Sequence, residues 1–191
     1  LENNSSCIIS LPNPCLEKKE IKTGFLAMKL KNYCNGLRIC FAGQCVASKG
    51  IFEVLDTLNI LTDDNMLGDC TIAGDGDENE LRSRLNQRAS QLTAIVGVLS
   101  RADLNQVYAN SHFILLPSRS EGFPKVLAEA AAFGCIPVAF NLPGFDKIIK
   151  SDVNGILLED LHPEKIVEKL KEAWADQIHI KEMARAANEF S

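Results

Sequence analysis

Residues Phe113–Phe140 read FILLPSRSEGFPKVLAEAAAFGCIPVAF, and the way this stretch divides decides the fold. Phe113–Pro117 is a short, unbroken apolar run, and Ile136–Phe140 is a second. Runs of this length without alternation are expected of strands buried on both faces. The loop Pro117–Lys125 leads from the first run into a helix. Pro124 suits the first helical position, where its missing N–H costs nothing. The helix expected over Val126–Phe133 is alanine-rich and almost wholly apolar, so it belongs inside. Glu129 is its one charge, and a buried carboxylate is expensive unless paired or bound to something.

Moving outward, the same alternation of strand and helix runs from about Leu37 to the end. Further strand-like runs are Arg38–Gly43, Cys70–Gly74, Leu92–Val98 and Ile156–Leu158. Helical stripes lie between them: Ile51, Val54, Leu55 and Leu58; Leu81 with Leu85; Leu104 with Val107 and Tyr108; Ile166 with Leu170, Ala173 and Trp174. Asp77 followed by Glu80 reads as a capping box, and Asn154-Gly155 as a tight turn. The pattern predicts an α/β fold with a parallel, doubly wound, Rossmann-like sheet. The first 36 residues differ. Leu11-Pro12-Asn13-Pro14 reads as extended and Glu17–Lys22 as a charged, exposed stretch, so residues 1–36 are expected to form a linker into a domain spanning 37–191.

Composition narrows the function classes. The chain has 191 residues, 46% hydrophobic and 24% charged, which is ordinary for a globular protein. Its net charge of −5 argues against a nucleic-acid partner. No apolar run approaches the ~20 residues that span a bilayer. Seven cysteines occur in no CxxC pair. Cys40, Cys70 and Cys135 fall in or beside strand-like runs as small hydrophobes, which fits a reducing, cytoplasmic setting better than a zinc site.

In a doubly wound sheet a ligand binds beyond the carboxyl ends of the strands, where the order reverses. With the order 3-2-1-4-5-6, the loops after Gly43 and after Pro117 face one crevice. The first, Gly43-Gln44-Cys45-Val46-Ala47-Ser48-Lys49-Gly50, has small residues that let backbone N–H groups approach an anion, and Lys49 adds positive charge. A flexible loop with Ser48 as N-cap and Lys49 solvated is the plain alternative. In the second loop, Glu129 should lean back toward the crevice because helical side chains tilt toward the N-terminus. An ion pair with Lys125 or an exposed stripe would explain it equally. Gly74-Asp75-Gly76 lacks the third glycine of a dinucleotide fingerprint. Asp75-Gly76-Asp77 spells a metal-binding DxD triplet, but a turn plus an N-cap explains it, and no metal is expected.

These residues resemble a known family. PSRSEGFPKVLAEAAAFGCIPVAF (Pro117–Phe140) is similar to the E-x7-E signature region of the large retaining GT-B glycosyltransferases, group 1 or family 4-like, with Glu121 and Glu129 as its two glutamates. FAGQCVASKG (Phe41–Gly50) resembles the family's phosphate loop. TIAGDGDENELRSRL (Thr71–Leu85), VGVLSRADLNQVYANSHFILLPS (Val96–Ser118) and SDVNGILL (Ser151–Leu158) fall in the family's order and spacing.

The resemblance implies the C-terminal, donor-binding half of a GT-B fold. It places Lys49 on the diphosphate of a UDP- or GDP-sugar, in the loop of Gly43 and Gln44. Glu121 would contact the transferred sugar with the N–H groups of Gly122 and Phe123. The N–H groups near Lys125 and Val126 would cradle phosphate, and Glu129 would hold the ribose hydroxyls. Gly74, Gly76 and Val98 would border the nucleobase. Lys49 and Glu121 are thus the expected catalytic pair, in a retaining hexosyltransferase of polysaccharide biosynthesis. LPNP resembles the family's interdomain connection, and MARAANEFS the stretch before its crossover helix. By the same resemblance an acceptor-binding N-terminal domain is expected to be missing from this sequence, which would make it an excised domain or fragment, inactive alone. A glycan or lipid-linked acceptor, and a peripheral contact with the inner membrane face, would come through that half.

One position departs from the family pattern. Gln44 stands where the family usually has an arginine. Glutamine donates a hydrogen bond but carries no charge, and losing a charge-assisted contact weakens diphosphate stabilisation by ~1.5–3 kcal/mol. Three other readings stay open: a sugar-nucleotide epimerase or hydrolase, a non-catalytic nucleotide-sugar-binding module, and an α/β domain that binds no sugar nucleotide.

Overall fold

A computed structural model of the chain describes residues 16–122 and 124–190. Six parallel strands form one sheet: β1 (Leu37–Ala42), β2 (Leu67–Ala73), β3 (Thr93–Ile95), β4 (Phe113–Leu116), β5 (Ile136–Phe140) and β6 (Ile156–Leu158). The order is β3-β2-β1-β4-β5-β6, as expected from the alternation. β1 lies beside β4 with Ile39 opposite Phe113 and Cys40 opposite Ile114. The order therefore reverses between these two strands. β4 and the first four residues of β5 are buried throughout, which is why they carry no polar alternation. β3 is shorter than the expected Leu92–Val98. It is an edge strand paired only with β2, and the chain beyond it leaves the sheet, so that Val98 is 78% exposed.

The helices are α1 (Lys18–Leu30), α2 (Ile51–Asp63), α3 (Glu78–Arg84), α4 (Gln87–Leu92), α5 (Arg101–Asn110), α6 (Lys125–Ala131), α7 (Pro163–Ala175) and α8 (Gln177–Phe190). α2 packs on α3, α4 and α7, whereas α1, α5, α6 and α8 pack together elsewhere. Ile51, Val54, Leu55 and Leu58 of α2 are buried, as their spacing predicts. Each contributes ~1.5–3 kcal/mol of burial. Asp77 caps α3 by accepting from the N–H groups of Asn79 and Glu80. Asn86 caps α4 in the same way, so the stripe of Leu81 and Leu85 ends one helix before a second begins. α6 begins at Lys125, with Pro124 as its N-cap, one position before the expected first turn.

The extended linker expected over residues 1–36 is, over Lys18–Leu30, a packed helix. Residues 1–15, with LPNP, Cys7 and Cys15, lie outside the described residues. The inward contact of α1 is a glycine, whereas its large apolar residues Ile21, Phe25, Leu26 and Leu30 are exposed. A Cβ on Gly24 would sit 2.1 Å from the Ala132 carbonyl oxygen, so backbone meets backbone there. Glu17 and Glu20 cap the helix reciprocally, which explains the charged start. Past its end, the buried Lys31 ammonium donates to the carbonyls of Tyr108 and Ser111. Cys40, Cys70 and Cys135 are free and buried, as small hydrophobes.

His112, just before β4, is locked neutral. Its Nδ1 accepts the Arg38 N–H at 3.0 Å, and its Nε2 lies 2.7 Å from the Asn32 carbonyl oxygen. Tyr33 stacks on the ring at 4.7 Å. Burial above all, with the nearby Arg38 and Lys31 charges, pushes its pKa down to about 3 from 6.5. Between these values the unfolded chain binds the proton that the folded chain refuses, so acid favours unfolding. The urea midpoint is expected to fall between pH 7 and pH 5, and less steeply in His112→Gln. Equal slopes for the two proteins would contradict this origin.

Candidate functional site

The strand reversal brings the loops after β1 and β4 together, and three features hold them there. The Arg119 N–H donates to the Ser48 carbonyl at 3.0 Å. The Ser118 hydroxyl donates to the same oxygen at 3.1 Å. Gly50 is left-handed, with φ 75°, and a Cβ on it would lie 2.3 Å from the Pro117 carbonyl oxygen. Only glycine permits both that turn and that approach.

On this seam Lys49 Nζ meets Glu121 Oε1 at 2.7 Å. Lys49 ends a short 3-10 turn, Ala47–Lys49, and its ammonium is paired rather than left to solvent. Its side chain is 29% exposed and that of Glu121 only 10%. The β1 and β4 loops thus place an ammonium and a carboxylate, 72 residues apart, in direct contact.

Gly43, Gly74 and Gly76 shape the floor. Gly74 has φ 150°, and a Cβ on it would fall 1.7 Å from the Gly43 carbonyl oxygen. Its N–H donates to the Gly97 carbonyl at 2.7 Å, while Gly43 N–H donates to Ala73 at 3.0 Å. A Cβ on Gly76 would meet Cys45 Cβ at 2.5 Å. The two glycines after β2 are therefore pressed against the loop after β1, which accounts for Gly-Asp-Gly without a dinucleotide. Gln44 is exposed on the rim, as are Gly122 and Lys125; Val126 is half-buried. Phe123 lies outside the described residues.

Glu129 lies on α6, one turn beyond Lys125, with its side chain 15% exposed. Burial is the main cause that raises its pKa; Arg101 opposes that shift, Glu20 adds to it and Lys125 opposes it. Its partner is Arg101 Nη1 at 3.5 Å, not the Lys125 of the plain alternative. Arg101 also grips Glu20 of α1, at 2.6 Å through Nε and 3.1 Å through Nη2, which holds the Glu20 carboxyl down to about 2. Sequence reasoning missed Arg101. It opens α5 behind the Ser100 cap, 28 residues from Glu129, and no local spacing rule joins the two. No helix among the described residues is long and apolar enough to cross a membrane.

The seam thus carries a paired ammonium and carboxylate over glycine-lined backbone, while Glu129 is engaged by Arg101 of α5. Comparison with known proteins gives the family and the fold. The family model "Glycosyl transferases group 1" matches residues 28–190. An uncharacterized glycosyltransferase of Haemophilus influenzae is 30% identical over 171 residues, 88% of this chain and 45% of that protein. The fold matches the C-terminal domain of LpcC, a glycosyl transferase group 1 family protein of Francisella tularensis, with a TM-score of 0.71 at 19% identity, covering 88% of this chain and 89% of that one. It also matches Anabaena Alr3699/HepE, solved with UDP and glucose, with a TM-score of 0.69 at 20% identity, covering 91% of this chain and 47% of that one. The chain spans less than half the length of the Haemophilus protein.

Proposed function

This chain belongs to the glycosyl transferases group 1 family, and from that premise we propose that its crevice holds a UDP- or GDP-sugar for retaining transfer to a hydroxyl acceptor. The acceptor, a glycan or a lipid-linked glycan, is presented by a second lobe. The observation that carries the reading is the 2.7 Å contact of Lys49 with Glu121 across the two loops. A diphosphate on Lys49 releases Glu121, whose carboxylate then accepts hydrogen bonds from the sugar hydroxyls. Glu129 accepts from the ribose hydroxyls, and Val98 flanks the base beyond the end of β3.

In the reaction the bond between sugar C1 and the β-phosphate oxygen breaks, and the diphosphate leaves with the electron pair. The acceptor oxygen forms the new bond to C1, and its proton passes to a base on the acceptor side. Negative charge grows on the β-phosphate as the bond stretches. Lys49 is fixed in place before that charge appears, so it stabilises the charge without reorganising. This chemistry needs no divalent metal. Gln44 favours a second reading, a module that binds the donor without turning it over, because it removes a charge from the diphosphate side.

Titration with UDP- and GDP-sugars tests the reading. Binding in the micromolar-to-millimolar range, roughly −8 to −4 kcal/mol, is expected for one of them. Glu129→Ala should weaken it about tenfold, the value of a charged hydrogen bond. Absence of binding by the wild-type chain would remove the donor site, and unchanged affinity in Glu129→Ala would remove the ribose contact.

A further inference from the structure

Helix α1 carries an exposed surface that the crevice does not use. Of the nine large apolar side chains exposed among the described residues, four lie on this one helix: Ile21, Phe25, Leu26 and Leu30, the last 84% exposed. Lys18, Lys19, Lys22 and Lys29 are exposed on it too. We propose that α1 is a membrane-surface helix, lying in the headgroup region of a bilayer that contains anionic lipid. The proposal is independent of the donor-site reading.

The arrangement comes from helix geometry. Gly24 faces inward onto the Ala132 carbonyl. At about 3.6 residues per turn, Lys18, Lys22 and Lys29 then run along the opposite, outward side. Leu26 and Leu30 flank this row on one side, Ile21 and Phe25 on the other. Lys29 Nζ lies 4.3 Å from the centre of the Phe25 ring, so ammonium and ring reach the surface together. The acids at the helix start do not answer the row. Glu20 is turned to Arg101 and Asn105 of α5, and Glu17 is engaged in the reciprocal cap. The outward side of α1 is thus positive in a chain whose net charge is −5.

These features select among partners. The centre of a protein–protein interface is apolar and depleted of lysine. Here lysines occupy the centre and divide the apolar residues into two strips. A second copy, set on the same surface across a two-fold axis, would bring one lysine row against the other. A bilayer tolerates the division. The ammoniums stay level with the lipid phosphates while the flanking side chains reach the acyl boundary. Near an anionic leaflet each lysine strengthens binding about fivefold.

Co-sedimentation of the chain with phosphatidylcholine vesicles, with and without phosphatidylglycerol, tests this. Wild type is expected to bind the anionic vesicles at low salt, to be released as salt rises, and to leave pure phosphatidylcholine unbound. The triple variant Lys18→Gln, Lys22→Gln, Lys29→Gln should bind about tenfold more weakly or worse, and so should Leu26→Ser with Leu30→Ser. The triple variant Lys165→Gln, Lys169→Gln, Lys171→Gln removes equal charge from α7 and should change binding by less than about threefold. Thermal unfolding checks that each variant folds. Failure of wild type to bind anionic vesicles overturns the proposal. Binding that both α1 variants leave intact overturns it too, as does an equal loss in the α7 variant, which would mean net charge alone. A dimer that Leu26→Ser with Leu30→Ser dissociates, without vesicle binding, would give the surface to a second copy instead.

Discussion

Gly74→Ala is expected to destabilise the protein by ~2–6 kcal/mol and to abolish donor binding. Two independent costs add. The backbone at φ 150° is one that side-chain-bearing residues rarely adopt, a strain of about 1–3 kcal/mol. The new methyl would also sit 1.7 Å from the Gly43 carbonyl oxygen. That neighbour is backbone, so no rotamer change relieves the contact, and overpacking of this kind costs about 1–3 kcal/mol more. The total is a large part of the stability of an ordinary domain, roughly 5–15 kcal/mol. The displaced group starts the loop proposed to hold the diphosphate, so binding should suffer with stability. Urea unfolding reads the effect as a lower midpoint at unchanged slope. Gly122→Ala, with nothing within 4 Å of its Cβ, is the stability control. A midpoint for Gly74→Ala equal to that of Gly122→Ala would contradict the packing assigned to this floor.

Lys49→Ala is expected to have a different profile, with a moderate effect on folding and a large effect on function. The Glu121 carboxylate is only 10% exposed, and leaving it without its partner costs about 1–3 kcal/mol. On the proposed donor the same ammonium would make a charge-assisted contact worth ~1.5–3 kcal/mol, so diphosphate affinity should drop by about 10- to 100-fold. In transfer the loss should be larger, about 10²–10³ in rate, because the charge on the leaving group exceeds that of the bound donor. Loss of affinity and rate by one equal factor would instead mean that Lys49 helps only to hold the donor. Transfer at the wild-type rate would exclude Lys49 from the reaction.

Much of this was legible in the sequence, and the exceptions have physical reasons. The strands β4, β5 and β6 and the sheet order follow from short apolar runs, since parallel strands covered on both faces leave little room for polar residues. The approach of Lys49 to Glu121 follows from that order, because neighbouring strands at the reversal share a crevice. α1 was hidden because its buried contact is a glycine against the Ala132 carbonyl, while its apolar residues Ile21, Phe25, Leu26 and Leu30 stay exposed among charged ones. Arg101 and Arg119 were hidden for another reason. Each pairs across the fold, with Glu129 and Glu53 respectively, and long-range ion pairs leave no spacing signature. The end of β3 was overextended because Val96 and Val98 are apolar yet lie beyond the edge strand, 41% and 78% exposed.

The most direct test is to map the bound donor on the chain by ¹H–¹⁵N NMR while UDP- or GDP-sugar is added. The crevice assignment predicts that amide shifts concentrate in residues 43–50, around Glu121 and Glu129, and in the turn at Gly97 and Val98. Saturable shifts confined to another surface, such as the groove between α1 and α5, with Lys49 and Glu121 unmoved, would contradict it.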